Sequence, residues 1–323
     1  MHTKISTKTN HVLLPGCLQD VLTFAEVWQR FEDLLNRTIP DLGPRATLLT
    51  RAQRHIINAG GKRLRPSLLL LVFNTCSVDK AGLELALLAA CSLELFHTAS
   101  LVHDDLPCFD NADMRRGLPT LHRKFGEPIA VLAGDALIVR ALQLIASSPP
   151  SHAHEAMEIV KLLGDAVAGE DGVIAGQAME EQLELIPPDQ SAAESLTRYH
   201  YRKTAALFRA ACTAGAIAAR VPNAQAWASL GGYIGKYYQL ADDLIDCYAN
   251  PAQIGKPVHQ DVDRLNMVTE VGADMVRSLM ERALRQARET IIALADSPDE
   301  LLSWVDRLVA SVESALPESL IAN

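Results

Sequence analysis

The sequence lacks the marks of several large protein classes. Lysine and arginine gather into no runs, and the formal charge over 323 residues is −9. That argues against a basic face for nucleic acid, though not against a local basic site in an acidic chain. The six cysteines, Cys17, Cys76, Cys91, Cys108, Cys212 and Cys247, make no CxxC pair. Neither a zinc site nor a disulfide framework follows, and several of these thiols lie in apolar runs, where they behave as small core residues. The N-terminal MHTKISTKTNHVLLPG is polar and has no signal-peptide core. No apolar segment reads as long enough to span a bilayer. These absences predict a cytoplasmic chain with no nucleic-acid partner and no transmembrane segment. Alternation with period two, internal repeats and low-complexity linkers are also missing.

Helical periodicity is what remains. Residues 82–103, GLELALLAACSLELFHTASLVH, are too apolar for a surface helix and predict one buried on most sides. Residues 129–147, 205–220 and 224–248 read the same way. Amphipathic helices are expected over 20–37, 154–183, 270–295 and 299–315. Gly60-Gly61, Pro107, Ser147-Ser148-Pro149-Pro150, Pro187-Pro188, Pro222-Asn223 and Pro251 punctuate these runs. The fold class that follows is all-α, a single-domain bundle of long helices around a central cavity. Residues 19–323 form that domain, behind a flexible segment 1–18.

Two of the apolar helices end in acids. The first leads into His103-Asp104-Asp105-Leu106-Pro107-Cys108-Phe109-Asp110. Pro107 disfavours a continuing helix, so Asp104 and Asp105 fall in the last turn and Asp110 in the loop beyond. The second ends in Asp242-Asp243-Leu244-Ile245-Asp246, where Asp242 and Asp246 share a helix face. The C-terminal end of a helix is its negative pole, so carboxylates there call for a cation. Oxygen-only ligands suit Mg²⁺, which keeps waters and bridges to phosphates. Taken singly, either cluster could be a solvated turn; together they face basic groups elsewhere in the chain. Gly60-Gly61-Lys62-Arg63-Leu64-Arg65-Pro66 joins flexible backbone to three cations, and Arg offers forked donors to phosphate. Lys203-Thr204 and Gly255-Lys256 add two more. Acidic metal sites, basic anion sites and apolar walls describe a ligand with a diphosphate head and a hydrocarbon tail.

These residues resemble the trans-isoprenyl diphosphate synthases, the family of farnesyl and geranylgeranyl diphosphate synthases. The resemblance covers roughly residues 20 to 320. It is strongest in HTASLVHDDLPCFDNADMRRGLPTLH at 97–122, and GGKRLRP at 60–66, LAGDAL at 132–137 and YQLADDLID at 238–246 support it in the expected order. The resemblance implies a homodimer that binds isopentenyl and allylic diphosphates with about three Mg²⁺ per site. It implies Asp104 and Asp110 as metal ligands with Asp105 beside them, and Asp242 as a further ligand supported by Asp243 and Asp246. It assigns Arg115, Lys203 and Lys256 to the allylic diphosphate, and Lys62, Arg65, His97 and Arg116 to isopentenyl diphosphate. Thr204, Gln177 and Gln239 would line the reacting centre. Diphosphate would depart with metal assistance, the isopentenyl double bond would attack the allylic cation, and a proton would be lost to the departed diphosphate.

Some positions depart from the family pattern. His259 stands where Gly is frequent, Arg264 follows Asp261 where a Lys is expected, Ala205 replaces a common Gly, and Glu180 a usual Asp. A terpene cyclase would need no isopentenyl site, which the Gly60-to-Arg65 run and His97 argue against. A non-catalytic subunit should have lost an acidic cluster, and both are present. For product length, the resemblance places the determinant five residues before Asp104. Ala99 there is small, and Phe96 lies about 4.5 Å deeper at the helical rise, on the same face, as a floor. Geranylgeranyl diphosphate (C20) is the expected product, with farnesyl diphosphate (C15) the alternative.

Overall fold

The computed structural model describes residues 23–77, 81–180, 191–248 and 266–317. The expected flexible segment 1–18 lies outside them. Among the described residues the strands are β1 (Met114–Arg115) and β2 (Leu118–Pro119), a single antiparallel pair. The rest is helical: α1 (Phe24–Thr38), α2 (Leu48–Asn58), α3 (Leu64–Cys76), α4 (Leu83–Asp104), α5 (Leu121–Phe125), α6 (Glu127–Ala146) and α7 (Ala153–Ala168), then α8 (Val173–Glu180), α9 (Ala192–His200), α10 (Ala206–Ala218), α11 (Ala228–Tyr248), α12 (Met267–Val271), α13 (Ala273–Leu294) and α14 (Asp299–Glu313). Local chemistry starts several of these. Thr23 caps α1 in a reciprocal box with Glu26, and Asn266 does the same for α12 with Thr269.

The core forms around α4. Its 22 residues contain only Glu84 and Glu94 as charges before Asp104, so it can be packed on all sides by α1, α3, α6, α7 and α10. α3 and α10 form a partition between two apolar clusters. Leu69, Leu70 and Phe73 of α3 face α4, whereas Leu68, Leu71 and Val72 face the cluster built by α11, α13 and α14. Each such leucine contributes about 1.5–3 kcal/mol on full burial.

Three expectations from the sequence are corrected. The stretch 154–183 is not one helix. Gly169 and Gly172 fold round the Asp165 carbonyl, where a Cβ would lie 2.5 and 2.9 Å from that oxygen, and they separate α7 from α8. Residues 129–147 are not buried on most sides. α6 packs its small face, with Ala130, Ala133 and Ala141, toward the core and leaves Val131, Leu132, Val139 and Leu142 exposed. By length and composition, both α4 and α6 also reach the dimensions of a membrane span. The apolar window of α4 is 83% buried, as befits a core helix, while that of α6 is 39% buried.

Candidate active site

The site is a cavity of about 780 Å³ bordered by α3, α4, α8, α10 and α11. On the acidic side, Asp104 closes α4 and Asp110 follows in a turn. The amide of Asp110 donates to the Asp104 carbonyl at 2.9 Å, and Asn111, at φ +47°, donates to the Leu106 carbonyl. This turn satisfies the end of α4 and brings both carboxylates to the cavity. Burial pushes the Asp104 carboxyl up to about 6, with Lys203 pulling it down and Asp110 pushing it further up. On α11, Asp242 and Asp246 stand one turn apart and border the same cavity.

Their neighbours behave differently. Asp105 is 2% exposed and does not border the cavity. Its Oδ1 accepts from Arg115 Nε and Nη2, both at 2.7 Å. Burial raises its carboxyl to about 6 against the pull of Arg115. Asp243, also buried, accepts from Gln239 Nε2 at 3.1 Å and from the Met267 amide at 2.9 Å, so it anchors the start of α12. His200 Nε2 lies 3.5 Å from it. Burial drives that imidazole down to about 3, so it is neutral and the contact is no ion pair.

The cations occupy the same cavity. Arg65 stands 3.3 Å from His97 Nε2 and lies over the Phe208 ring at 4.6 Å. Its buried Nε has no hydrogen-bond partner among the described residues. Burial lowers its pKa and holds His97 well below the usual imidazole range. Arg116 donates to the Gly60 carbonyl, and Lys62 reaches Ser311 at 3.4 Å. Lys203 pairs with Glu180, which Tyr199 also engages. Between acids and cations, Thr204 Oγ1 donates to Gln239 Oε1 at 2.5 Å.

Lys203 and Thr204 sit on a π turn, Tyr201–Ala205, that leads into α10. Such single turns often occur at functional positions. Two glycines back this one. A Cβ on Gly176 would lie 2.5 Å from the Lys203 nitrogen, and one on Gly235 would lie 2.6 Å from Ala205 Cα.

Four expected site residues do not border the cavity. Asp105 is one. Gln177 is another: Val173 and Glu180 line the cavity and Gly176 packs on the π turn, which leaves Gln177 at the edge of that helix face. Phe96 and Ala99 are the others. The α4 face at the cavity is Glu94, His97, Ser100, Leu101 and Asp104. Phe96 and Ala99 lie on the stripe with Ser92 and His103, which meet Ala141 and Gly134 of α6. Lys256, with His259, Asp261 and Arg264, falls outside the described residues. Conversely, Glu94 and Tyr238 border the cavity without having been singled out. For Glu94 the signal was present: a lone carboxylate within an apolar helix requires a buried partner.

The donor set fits a hard divalent cation. Asp104, Asp110, Asp242 and Asp246 offer only carboxylate oxygen, and Asp104 is buried enough that its charge is disfavoured alone. Among the described residues no three acidic, histidine or cysteine side chains converge into a closed cage. Carboxylate oxygen is the donor Mg²⁺ favours; the ion takes one or two carboxylates and completes its shell with water and phosphate.

An all-helical bundle with acid pairs at two helix ends and cations in one cavity defines a class of diphosphate-handling enzymes. The profile of the family described as Polyprenyl synthetase matches residues 46–290, and this chain belongs to that family. It is 40% identical to a geranylgeranyl diphosphate synthase of Rhodobacter capsulatus over 252 residues, 77% of this chain and 83% of the relative. It is 42% identical to that of Cereibacter sphaeroides over 228 residues, 70% and 75% of the two chains. A Helicobacter pylori geranyltransferase, solved with magnesium and isoprenyl diphosphate, superposes with a TM-score of 0.78 at 30% identity, covering 90% of this chain and 96% of that one. An FPP/GFPP synthase from Zymomonas mobilis superposes at 0.74 with 32% identity, covering 88% and 97%.

Proposed function

We propose that this protein is a magnesium-dependent trans-prenyltransferase that condenses isopentenyl diphosphate head to tail with an allylic diphosphate. Its main product on this reading is geranylgeranyl diphosphate, the product named for the relatives of 40–42% identity. The observation that carries the reading is one cavity shared by Asp104, Asp110, Asp242 and Asp246 and by Arg65, whose Nε is unpartnered among the described residues.

These four carboxylates would hold Mg²⁺. When bound, Mg²⁺ supplies positive charge that offsets the charge developing on the departing diphosphate. Lys203 holds the allylic diphosphate once Glu180 yields it, and Arg115, tied to Asp105, supports that side. Lys62, Arg65, Arg116 and neutral His97 hold isopentenyl diphosphate. The allylic carbon–oxygen bond breaks, the isopentenyl double bond attacks the resulting cation, and a proton leaves to the diphosphate. The Thr204–Gln239 hydrogen bond fixes two dipoles beside the cation. The growing tail passes Leu101 into the seam between α4 and α6, where Ala99, Ala130 and Ala133 leave little side chain to displace. A second copy of the chain covers the apolar face of α6, Val131, Leu132, Val139 and Leu142. A homodimer in the cytoplasm accounts for that face without a membrane.

The test is incubation with isopentenyl diphosphate, each allylic starter and Mg²⁺, followed by chromatography of the dephosphorylated products. A C20 alcohol is expected, and only when isopentenyl diphosphate is present. A C15 alcohol would replace the product assignment. Diphosphate release from the allylic substrate alone would make the protein a cyclase.

A further inference from the structure

The turn that carries Lys62 and Arg65 is gripped by a buried ion pair that the proposed reaction does not use. Arg63 stands between them, 8% exposed, at φ +46°. A side chain in that left-handed region crowds its own backbone, so something must hold it there. Its guanidinium pairs with the Glu94 carboxylate on α4 and donates to the Ile57 carbonyl, in the last turn of α2, at 2.8 Å. Its backbone caps α3. One side chain thus ties three helices at the point where the turn enters the cavity.

Glu94 is 2% exposed and borders the cavity one turn before His97. Burial pulls Arg65 and Arg116 down, and the Glu94 charge acts against that at both. Arg116, also left-handed at φ +54°, clasps the turn from the other side. It donates to the Gly60 carbonyl, and its guanidinium would lie 2.6 Å from a Cβ on Gly61.

We propose that Arg63 and Glu94 are a positioning pair for the non-allylic diphosphate, setting the shape of the Gly60–Arg65 turn and so the placement of Lys62 and Arg65. The inference rests on the function proposed above. Two effects of removing Glu94 oppose each other. The wall becomes more positive, which alone would tighten diphosphate binding. Arg63 is left buried without a counter-ion, which forces the turn to rearrange. The second effect dominates, because an unpaired guanidinium in the interior is disfavoured more than one added attraction across a wet cavity is favoured.

The experiment is steady-state kinetics of Glu94→Gln with each substrate varied in turn, together with thermal melts. In Glu94→Gln the KM for isopentenyl diphosphate should rise about tenfold or more while that for the allylic substrate stays within about twofold. The double variant Arg63→Met, Glu94→Leu removes the buried charges together; it should regain the melting temperature but not the KM. If the single variant fails to fold, the KM of the double variant decides. An isopentenyl KM that falls or stays level in Glu94→Gln, both KM values rising together, or a double variant with normal KM overturns the pair. A wild type that consumes no isopentenyl diphosphate sinks the reaction itself, a different result from a working wild type indifferent to Glu94.

Discussion

The π turn at Tyr201–Ala205 can be displaced by a single methyl group. Gly176 of α8 lies against it so closely that an added Cβ would stand 2.5 Å from the Lys203 nitrogen, 2.8 Å from its Cα and 3.0 Å from the Arg202 carbonyl carbon. Comfortable contact between heavy atoms needs about 3.5–4.0 Å, so Gly176→Ala must push the two backbones apart by ~1 Å. The partners are backbone atoms, which cannot swing aside. In stability the change is modest: overpacking costs about 1–3 kcal/mol, and replacing a helical glycine with alanine returns up to ~1 kcal/mol. In turnover it is large, because Thr204 and Lys203 move with the turn and a misplacement of ~1 Å at a reacting centre can cost about a hundredfold. The assay is product formation under saturating substrates, beside a thermal melt. Gly164→Ala in α7 is the control: no atom lies within 4 Å of its added Cβ. It should keep full turnover and gain up to ~1 kcal/mol. If Gly176→Ala turns over within about threefold of wild type, the placement of Lys203 and Thr204 is not set by this contact.

Asp104→Ala and Asp242→Ala should each lower turnover by at least ~100-fold with an unchanged fold. Asp243→Ala should instead destabilise by about 1–3 kcal/mol, because it strips buried donors of their acceptor; equal melting temperatures for the Asp242 and Asp243 variants would contradict the separation of their roles. His200 is held neutral when folded, its pKa driven by burial down to about 3, whereas the unfolded chain protonates it near the ordinary imidazole value of 6.5. Between those values the unfolded state binds the extra proton, so stability falls as pH falls, by roughly 2 kcal/mol from pH 6.5 to pH 5. His200→Gln should flatten that part of the denaturant midpoint against pH, and an unaltered slope would mean that other groups set it. Ala99→Tyr should shift the main product from C20 to C15; an unshifted chromatogram would move the tail out of the α4–α6 seam.

The acidic clusters were readable because short-range chemistry places them. An apolar helix stopped by Pro107 puts Asp104 at its end, and the spacing of Asp242 and Asp246 puts them on one face. What separates Asp242 from Asp243 is about 100° of helix rotation. Both border the cavity, but that turn leaves Asp242 half-buried and sets Asp243 against Gln239 and the Met267 amide, and adjacent aspartates look alike in a string of letters. The π turn has no signature of its own, since Gly176 and Gly235 that press on it come from α8 and α11. The open face of α6 was missed for a related reason. Composition reports that a helix must be covered, not whether the same chain covers it. The Gly169–Gly172 break, by contrast, was legible in principle as two glycines within one helical turn.

α14 holds α3 through Trp304 Nε1 to Ser67 Oγ at 2.9 Å and through Glu300 to Asn74 at 3.0 Å, while Ser311 meets Lys62. Ser67 and Trp304 are 237 residues apart in the chain. During synthesis at about 5–20 residues per second, the helix bearing Arg65 therefore waits roughly 12 to 50 s for this clasp. Until α14 leaves the ribosome, one side of α3 and its apolar cluster stands open. The nascent chain then exposes leucine-rich surface beside an unfinished cationic wall, and transiently exposed apolar surface of this kind is prone to aggregate until it is covered.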